Sequence, residues 1–293
     1  MIVAIVNPNS GRGKAAETWA KVNAFLPGKV ETLETKRPAH AIELTRSAIK
    51  AGAKTIVAVG GDGTINEVVN GFFEGEREIS HEARLVIIPH GTGSDFAKIL
   101  NLPRDEKKAA AIIHDGEARM VDLLKVRYTN ANRSSSLRYS INVTSFGMGG
   151  VVAARVKRSY LFATLNTALK FRGNSITLTI DGTDSMEERI LNVAVGNGQY
   201  HGGGMWACPG ASIDDGFLDI TVVRYLSLFE LLKGIPTLYN GTILTHPKVK
   251  AYRAKRIEAT SNETVLIEID GEPVGRLPVE ISIIPKAVRV LIP

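Results

Sequence analysis

Thr55-Ile56-Val57-Ala58-Val59-Gly60-Gly61-Asp62-Gly63-Thr64 is the stretch on which the fold turns. Thr55–Val59 is apolar and β-branched, the signature of a buried strand, and the glycines after it predict a turn into a helix beginning near Ile65. A strand that leaves through glycines into a helix aims backbone N–H groups and the positive helix end at one spot. Phosphate binds such spots. Asp62 among those amides would repel an anionic ligand unless Mg²⁺ stood between them, which makes it the metal-side candidate. As a bare turn, the same residues would make Asp62 a helix N-cap.

The pattern recurs on both sides. Ile2–Val6 is an apolar strand that passes through Asn7-Pro8-Asn9-Ser10-Gly11-Arg12-Gly13-Lys14 into a helix over Lys14–Phe25. Leu85–Ile88 is another, leading into Pro89-His90-Gly91-Thr92-Gly93-Ser94-Asp95-Phe96. Further helices are predicted over Ala39–Ala51, Ile65–Phe73 and Asp105–Asp115. Strands alternating with helices predict βαβ units on a parallel sheet, hence an α/β nucleotide domain over residues 1–124. Its three loops fall at strand C-termini, where open α/β sheets bind ligands. The first brings two cations, Arg12 and Lys14, and matches neither a P-loop nor the dinucleotide fingerprint.

Beyond residue 125 the texture changes to closely spaced strands: Tyr139–Thr144, Ser175–Ile180, Ile190–Gly196, Leu218–Val223, Arg256–Ala259, Thr264–Ile269 and Val279–Ile284. They predict an antiparallel sandwich or barrel, an all-β sandwich domain over residues 125–285, interrupted by helices over Val151–Lys170 and Ser227–Leu238. Val288–Ile292 either adds a strand there or returns to the first sheet.

At 293 residues the chain suits two domains, and 44% hydrophobic residues suffice for both cores. The single cysteine, Cys208, and the absence of a leader before Ile2 predict a reducing, cytoplasmic setting. No apolar run approaches the ~20 residues that span a bilayer. Thirty-six basic against thirty acidic residues give a charge of +6, which suits anionic partners. Nothing resembles a reading helix or an aromatic stacking platform, so nucleic acid is not among them. A homodimer is compatible with all of this.

Taken together, Asn7-Pro8-x-Ser10-Gly11, Gly60-Gly61-Asp62-Gly63-Thr64-x-Asn66-Glu67-Val68-x-Asn70-Gly71 and Gly91-Thr92-Gly93-x-Asp95-Phe96-Ala97 resemble the diacylglycerol-kinase catalytic-domain family. Those are the soluble lipid kinases that include the sphingosine and ceramide kinases, with NAD kinases as more distant kin. Asp214-Asp215-Gly216-Phe217-Leu218-Asp219, His246-Pro247 and Asp270-Gly271-Glu272 extend the match, in order, across nearly the whole chain. The resemblance implies an NAD-kinase-like nucleotide domain and a β-sandwich lipid domain, with residues 286–293 returning to the first. It implies ATP and Mg²⁺ as cofactors and a lipid hydroxyl as acceptor, met at a membrane surface.

By the same resemblance Asn7, Ser10, Gly11, Thr35, Gly61, Asp62, Gly63, Thr64 and Glu67 line the nucleotide, as do Gly91, Thr92 and Gly93. Pro8, Asn9 and Gly60 complete those loops. Ser212, Asp215 and Phe217 match a second, structural Mg²⁺ site, the first and last through main-chain oxygen. Glu272 matches the proton acceptor. Two positions depart from the family: Ser94 stands for the usual Asn, and His90 for an apolar residue. His90 reads as a packing variant, because phosphoryl transfer already has carboxylates at hand.

Phosphoryl transfer to an alcohol asks mainly for alignment and charge neutralisation, with a modest need for a base. Asp62 would orient the metal, while either Asp270 or Glu272 would take the hydroxyl proton. Asp270-Gly271 alone reads as a type I′ hairpin turn, and Ile180-Asp181-Gly182 supplies a second copy in which only the turn is expected. Two acid-free basic segments, Val151–Gly173 and Thr245–Arg256, suit an anionic bilayer. A soluble-nucleotide kinase of the NAD-kinase type and a non-catalytic nucleotide- or lipid-binding module are the alternative readings.

Overall fold

The computed structural model describes residues 1–91, 93–155, 167 and 170–293, and the chain separates into two units. Unit 1 is Met1–Val121 with Lys286–Pro293, and unit 2 is Asp122–Pro285. The division falls three residues before the one the change of texture suggested. A single strand, Glu117–Asn130, runs across it.

In unit 1, β1 (Ile2–Val6), β2 (Glu31–Glu34), β3 (Thr55–Gly60) and β4 (Arg84–Pro89) pair in parallel, in the order β2-β1-β3-β4. The helices are α1 (Ala15–Asn23), α2 (His40–Lys50), α3 (Asp62–Gly71), α4 (Asp95–Ile99) and α5 (Glu106–Asp115). Val57, Val59, Val86 and Ile88 of the central strands pack with Trp19 and Val22 of α1 and Ile112 of α5. Residues 286–292 end a long strand and pair in parallel with β4, Val290 opposite Leu85. β2 reads Glu-Thr-Leu-Glu, too polar to stand out as a strand, and it is tolerable because β2 is an edge. Helix α3 starts at Asp62 rather than near Ile65: extended Gly61 is its N-cap, and Gly63 and Thr64 are its first turn.

Unit 2 begins with β5 (Glu117–Asn130), β6 (Ser135–Ser140) and β7 (Val143–Gly147), then α6 (Met148–Arg155), β8 (Asn174–Ile180) and β9 (Asp184–Gly196). It continues with β10 (Leu218–Arg224), α7 (Leu228–Tyr239), β11 (Val249–Ala254), β12 (Arg256–Thr260), β13 (Leu266–Ile269) and β14 (Glu272–Ile292). The ladders β12-β8-β9-β10-β11 and β9-β7-β13-β14 are antiparallel throughout. With α6 and α7 between its strands, the unit is the β-rich body interrupted by helices that the sequence predicts. Leu178, Val193, Ile220, Ile257, Ile267 and Ile281 form its core.

The run Tyr139–Thr144, expected as one strand, is two. A bend at Ile141-Asn142 separates β6 from β7, and a buried carboxylate fills it. Most of the expected helix Val151–Lys170 lies outside the described residues.

Candidate functional site

In unit 1 the three Gly-rich loops are stitched into one surface by their own side chains. Asn7 Nδ2 donates to Thr64 Oγ1 at 3.0 Å, Ser10 Oγ stands 3.5 Å from the same hydroxyl, and Gly61 N–H donates to Ser10 Oγ at 3.3 Å. Gly91 meets Gly61 backbone to backbone, since a Cβ on Gly91 would fall 2.7 Å from Gly61 Cα. His90 N–H donates to Gly60 O at 2.8 Å, and Asn9 N–H donates to Asn7 Oδ1 at 3.1 Å after Pro8. Thr35 N–H donates to Val6 O at 2.9 Å, which places Thr35 beside the first loop. Thr92 lies outside the described residues.

The first loop turns through left-handed backbone at Gly11 and Arg12 (φ 59° and 61°) before α1 starts at Ala15, so Arg12 and Lys14 precede the helix. Arg12, Lys14, His90, Gly91, Ser94 and Arg104 line a polar hollow of about 1220 Å³, open mouth included. Its three cations suit phosphate. A Cβ on Gly11 would fall 2.0 Å from the His90 ring, whose Nδ1 lies 3.1 Å from Thr18 Oγ1. His90 is thus a packing residue that Gly11 makes room for. Ser94 Oγ bonds Gly91 O at 3.2 Å, holding the third loop from within.

Asp62 accepts the amides of Asp95 (3.3 Å) and Phe96 (3.4 Å), so it steadies the start of α4. A Cβ on Gly93 would stand 3.1 Å from Asp62 Oδ2 and 3.5 Å from Asp95 Oδ2. Two hard carboxylates therefore converge beside a glycine in the Gly-rich loops, a donor set that fits Mg²⁺. Asp95 is also paired with Lys98 at 2.9 Å. Glu67, which the resemblance puts on the nucleotide, is otherwise engaged. Its carboxylate accepts Ala39 N–H (2.8 Å) and Ala41 N–H (3.2 Å) and caps α2.

In unit 2 the Asp270-Gly271-Glu272 turn separates its two carboxylates sharply. Asp270 is buried and accepts Ser140 Oγ (2.6 Å) and the amides of Ile141 (3.0 Å), Asn142 (3.1 Å) and Val143 (3.0 Å). This is the carboxylate that fills the β6–β7 bend, and four donors leave it little room to take a substrate proton. Glu272 opens β14, exposed, with no side-chain partner among the described residues.

The family model of the diacylglycerol kinase catalytic domain matches residues 1–126, and that of the YegS C-terminal NAD kinase beta sandwich-like domain matches residues 148–292. A diacylglycerol kinase of Mycobacterium tuberculosis is 30% identical over 304 residues, covering 100% of this chain and 95% of that protein. The chain belongs to the diacylglycerol kinase family. It is therefore a kinase, a phosphotransferase that draws on ATP. A solved diacylglycerol kinase of Bacillus anthracis str. Sterne shares the fold, with TM-score 0.71, 24% identity and coverage of 100% and 96% of the two chains. Yeast NADH kinase shares it more distantly, with TM-score 0.52, 15% identity and coverage of 99% and 82%.

The family's structural-metal position is built differently here. Asp215 Oδ1 accepts Phe217 N–H at 3.0 Å, and its Oδ2 is paired with the Arg253 guanidinium, which stacks over the Phe217 ring at 4.4 Å. Asp219 lies 3.9 Å from Arg253, and burial raises its carboxyl above the ordinary range against the pull of that cation. Ser212 Oγ donates to Asp214 at 3.1 Å, a bond that does not involve its main-chain oxygen. A fixed cation stands where Mg²⁺ was expected, and among the described residues no three acidic, histidine or cysteine side chains gather as metal ligands. In this arrangement the Asp215 carboxylate is engaged by an arginine. Buried Asp122, which the sequence did not mark, ties it down by accepting Gly216 N–H at 2.7 Å.

Unit 2 also holds an apolar hollow, open to solvent and about 1040 Å³ with its mouth included, walled by Met148, Leu191, Leu226, Leu231, Ile235 and Leu238. Helix α7 supplies one wall, and its capping box, Ser227 with Glu230, fixes where it starts. The outer face of α7 is apolar too: Phe229 is 67% exposed, with Leu232 and Tyr239 at 47% each and Lys233 among them, 4.4 Å over the Phe229 ring. Among the described residues no helix is long and apolar enough to cross a membrane. Of the five cations in Thr245–Arg256, Lys248 pairs with Glu230, Arg253 with Asp215, and Arg256 with Glu258 and Glu280. That segment is largely neutralised within the protein. The other basic segment, Val151–Gly173, lies largely outside the described residues.

Proposed function

We propose that this kinase transfers the γ-phosphate of ATP to the hydroxyl of a lipid with an acyl or alkyl tail, such as diacylglycerol. The apolar cavity of unit 2 carries the reading. A soluble-nucleotide acceptor would gain nothing from a hollow walled by leucine, isoleucine and methionine, whereas a tail buried there gains roughly 0.8 kcal/mol per methylene.

The rest of the machinery agrees. Arg12, Lys14 and Arg104 neutralise the nucleotide phosphates, and the loop amides around Gly61 and Gly91 approach them closely because no Cβ intervenes. Asp62 and Asp95 would hold Mg²⁺, which supplies charge neutralisation on the transferring phosphoryl group. Glu272 receives the hydroxyl proton, and Asp270 shapes the turn that presents it.

Access to the substrate runs through α7. Its outward stripe of Phe229, Leu232, Pro236 and Tyr239 around Lys233 has the make-up of a helix that lies in a bilayer interface, while its inner face lines the tail cavity. The decisive experiment is a panel of diacylglycerol, monoacylglycerol, polyprenol and sphingoid base with labelled ATP, on neutral and anionic vesicles, with NAD as one acceptor. Phosphorylation of a lipid, faster on anionic vesicles and slower after Phe229→Asp with Leu232→Asp, is the expected result. Phosphorylated NAD as the sole product would overturn the lipid reading. Labelling of nothing would leave a binding module.

A further inference from the structure

Strand β13 reads Leu266-Ile267-Glu268-Ile269, and Glu268 is 0% exposed in the apolar core of unit 2. A carboxylate there costs free energy unless its oxygens are filled. Oε2 accepts Gly271 N–H at 2.7 Å; Oε1 makes no hydrogen bond and faces His201 Nε2 at 3.3 Å. Burial raises the Glu268 carboxyl above the ordinary carboxylate range, and the nearby imidazole pulls it back. In the β7–β13 ladder Glu268 stands opposite Ser145, whose buried hydroxyl also draws the carboxyl down.

These groups meet the cavity. Ser145, Asn192 and His201 all line it. Ser145 and Asn192 converge around Gly149, where a Cβ would fall 2.3 Å from Ser145 Oγ and 3.0 Å from Asn192 Oδ1. Asn192 Oδ1 already accepts Gly149 N–H at 2.8 Å. The hollow thus carries a hydroxyl and an imidazole on its wall, with the buried Glu268 carboxylate directly behind them. The carboxylate also grips the turn from which Glu272 extends.

We propose that Ser145 and His201, held by Glu268, form the polar end of the cavity and bind the polar head of the lipid acceptor. Glu268 is a positioning residue: it orients the His201 ring and, through Gly271, fixes the turn that bears Glu272. A tail in the apolar part and a head at Ser145 and His201 give the acceptor one orientation, and that orientation decides which hydroxyl is offered for phosphorylation. This rests on the lipid-kinase reading above.

The test uses the full chain, dioctanoylglycerol as acceptor, and a pyrene-tailed diacylglycerol for equilibrium binding without ATP. His201→Phe and Glu268→Gln should each raise the KM for dioctanoylglycerol and the Kd for the pyrene lipid about tenfold, a loss of about 1.4 kcal/mol. The KM for ATP should stay within about twofold, because ground-state lipid binding is what has been removed. His201→Asn, which keeps a hydrogen-bonding side chain, should recover part of the loss. Should His201→Phe fail to fold, His201→Asn and Glu268→Gln are judged by the same constants. Lipid KM and Kd unchanged in the folded variants, or an ATP KM rising in step with the lipid KM, would overturn the assignment. A wild-type protein that neither binds nor phosphorylates any lipid would instead remove the lipid-kinase reading itself.

Discussion

Two Ile-Asp-Gly turns in unit 2 share their local chemistry and little else. Asp181-Gly182 and Asp270-Gly271 both turn through left-handed backbone, with φ of 47° and 75° in the first and 49° and 88° in the second. Asp181 is exposed and accepts only the amides of Lys255 and Arg256, both at 2.9 Å. Asp270 is buried under the β6–β7 bend and accepts four donors from Ser140 to Val143. The tripeptide dictates a turn in both places. What the turn is for depends on a segment about 130 residues away that wraps one copy and leaves the other bare. The comparison also separates neighbouring carboxylates: Asp270 builds the turn, and Glu272 projects from it.

The largest expected effect is on stability. Asp270→Ala strips one hydroxyl and three backbone amides of their acceptor, and at roughly 1–3 kcal/mol per unfilled buried donor it should cost about 4 kcal/mol or more. Denaturant unfolding measures this, and a loss below about 1 kcal/mol would make the two turns equivalent. Glu272→Gln should do the opposite, lowering kcat by about 10²–10⁴ with the melting temperature unchanged. Asp62→Asn should likewise remove turnover without unfolding, and near-normal kcat at saturating Mg²⁺ would strike Asp62 from the site.

A smaller effect carries the contrast to the Asp215 loop. If Arg253 replaces the structural cation, EDTA should leave the melting temperature of the nucleotide-free protein unchanged. Arg253→Ala should cost about 1 kcal/mol through the lost ion pair and ring stacking. A clear rise in melting temperature with Mg²⁺ alone would restore the metal. The smallest effect is Asp181→Ala, within about 1 kcal/mol, as for other exposed sites.

The parallel core of unit 1 was legible because Ile2–Val6, Thr55–Val59 and Leu85–Ile88 are continuous apolar runs, which strands buried on both faces require. The start of α3 was misread because Gly60-Gly61-Asp62-Gly63 looks like loop throughout, although Gly60 ends β3, Gly61 is the cap, and Asp62 and Gly63 already belong to the helix. The bend between β6 and β7 has no local signal; the side chain that demands it is distant in sequence. In the site, the Gly-rich loops stood out as motifs. Arg253 did not, since one cation in a basic segment reveals nothing of the carboxylate it meets. His201 and Glu268 were missed as well, although a Glu among Leu266, Ile267 and Ile269 breaks the apolar pattern and could have been a flag.

The long strand β14 begins at Glu272 in unit 2 and ends at Ile292 in unit 1, where Val290 pairs with Leu85. During synthesis the first 121 residues leave the ribosome long before that strand exists, so β4 keeps an unpaired edge until residues 286–293 emerge. Domains that fold in order from the N-terminus normally finish one before the next is made. Here the nucleotide-binding unit cannot finish until nearly the whole chain has been translated. A chain that stops before residue 286 leaves the outer edge of β4 without its partner strand.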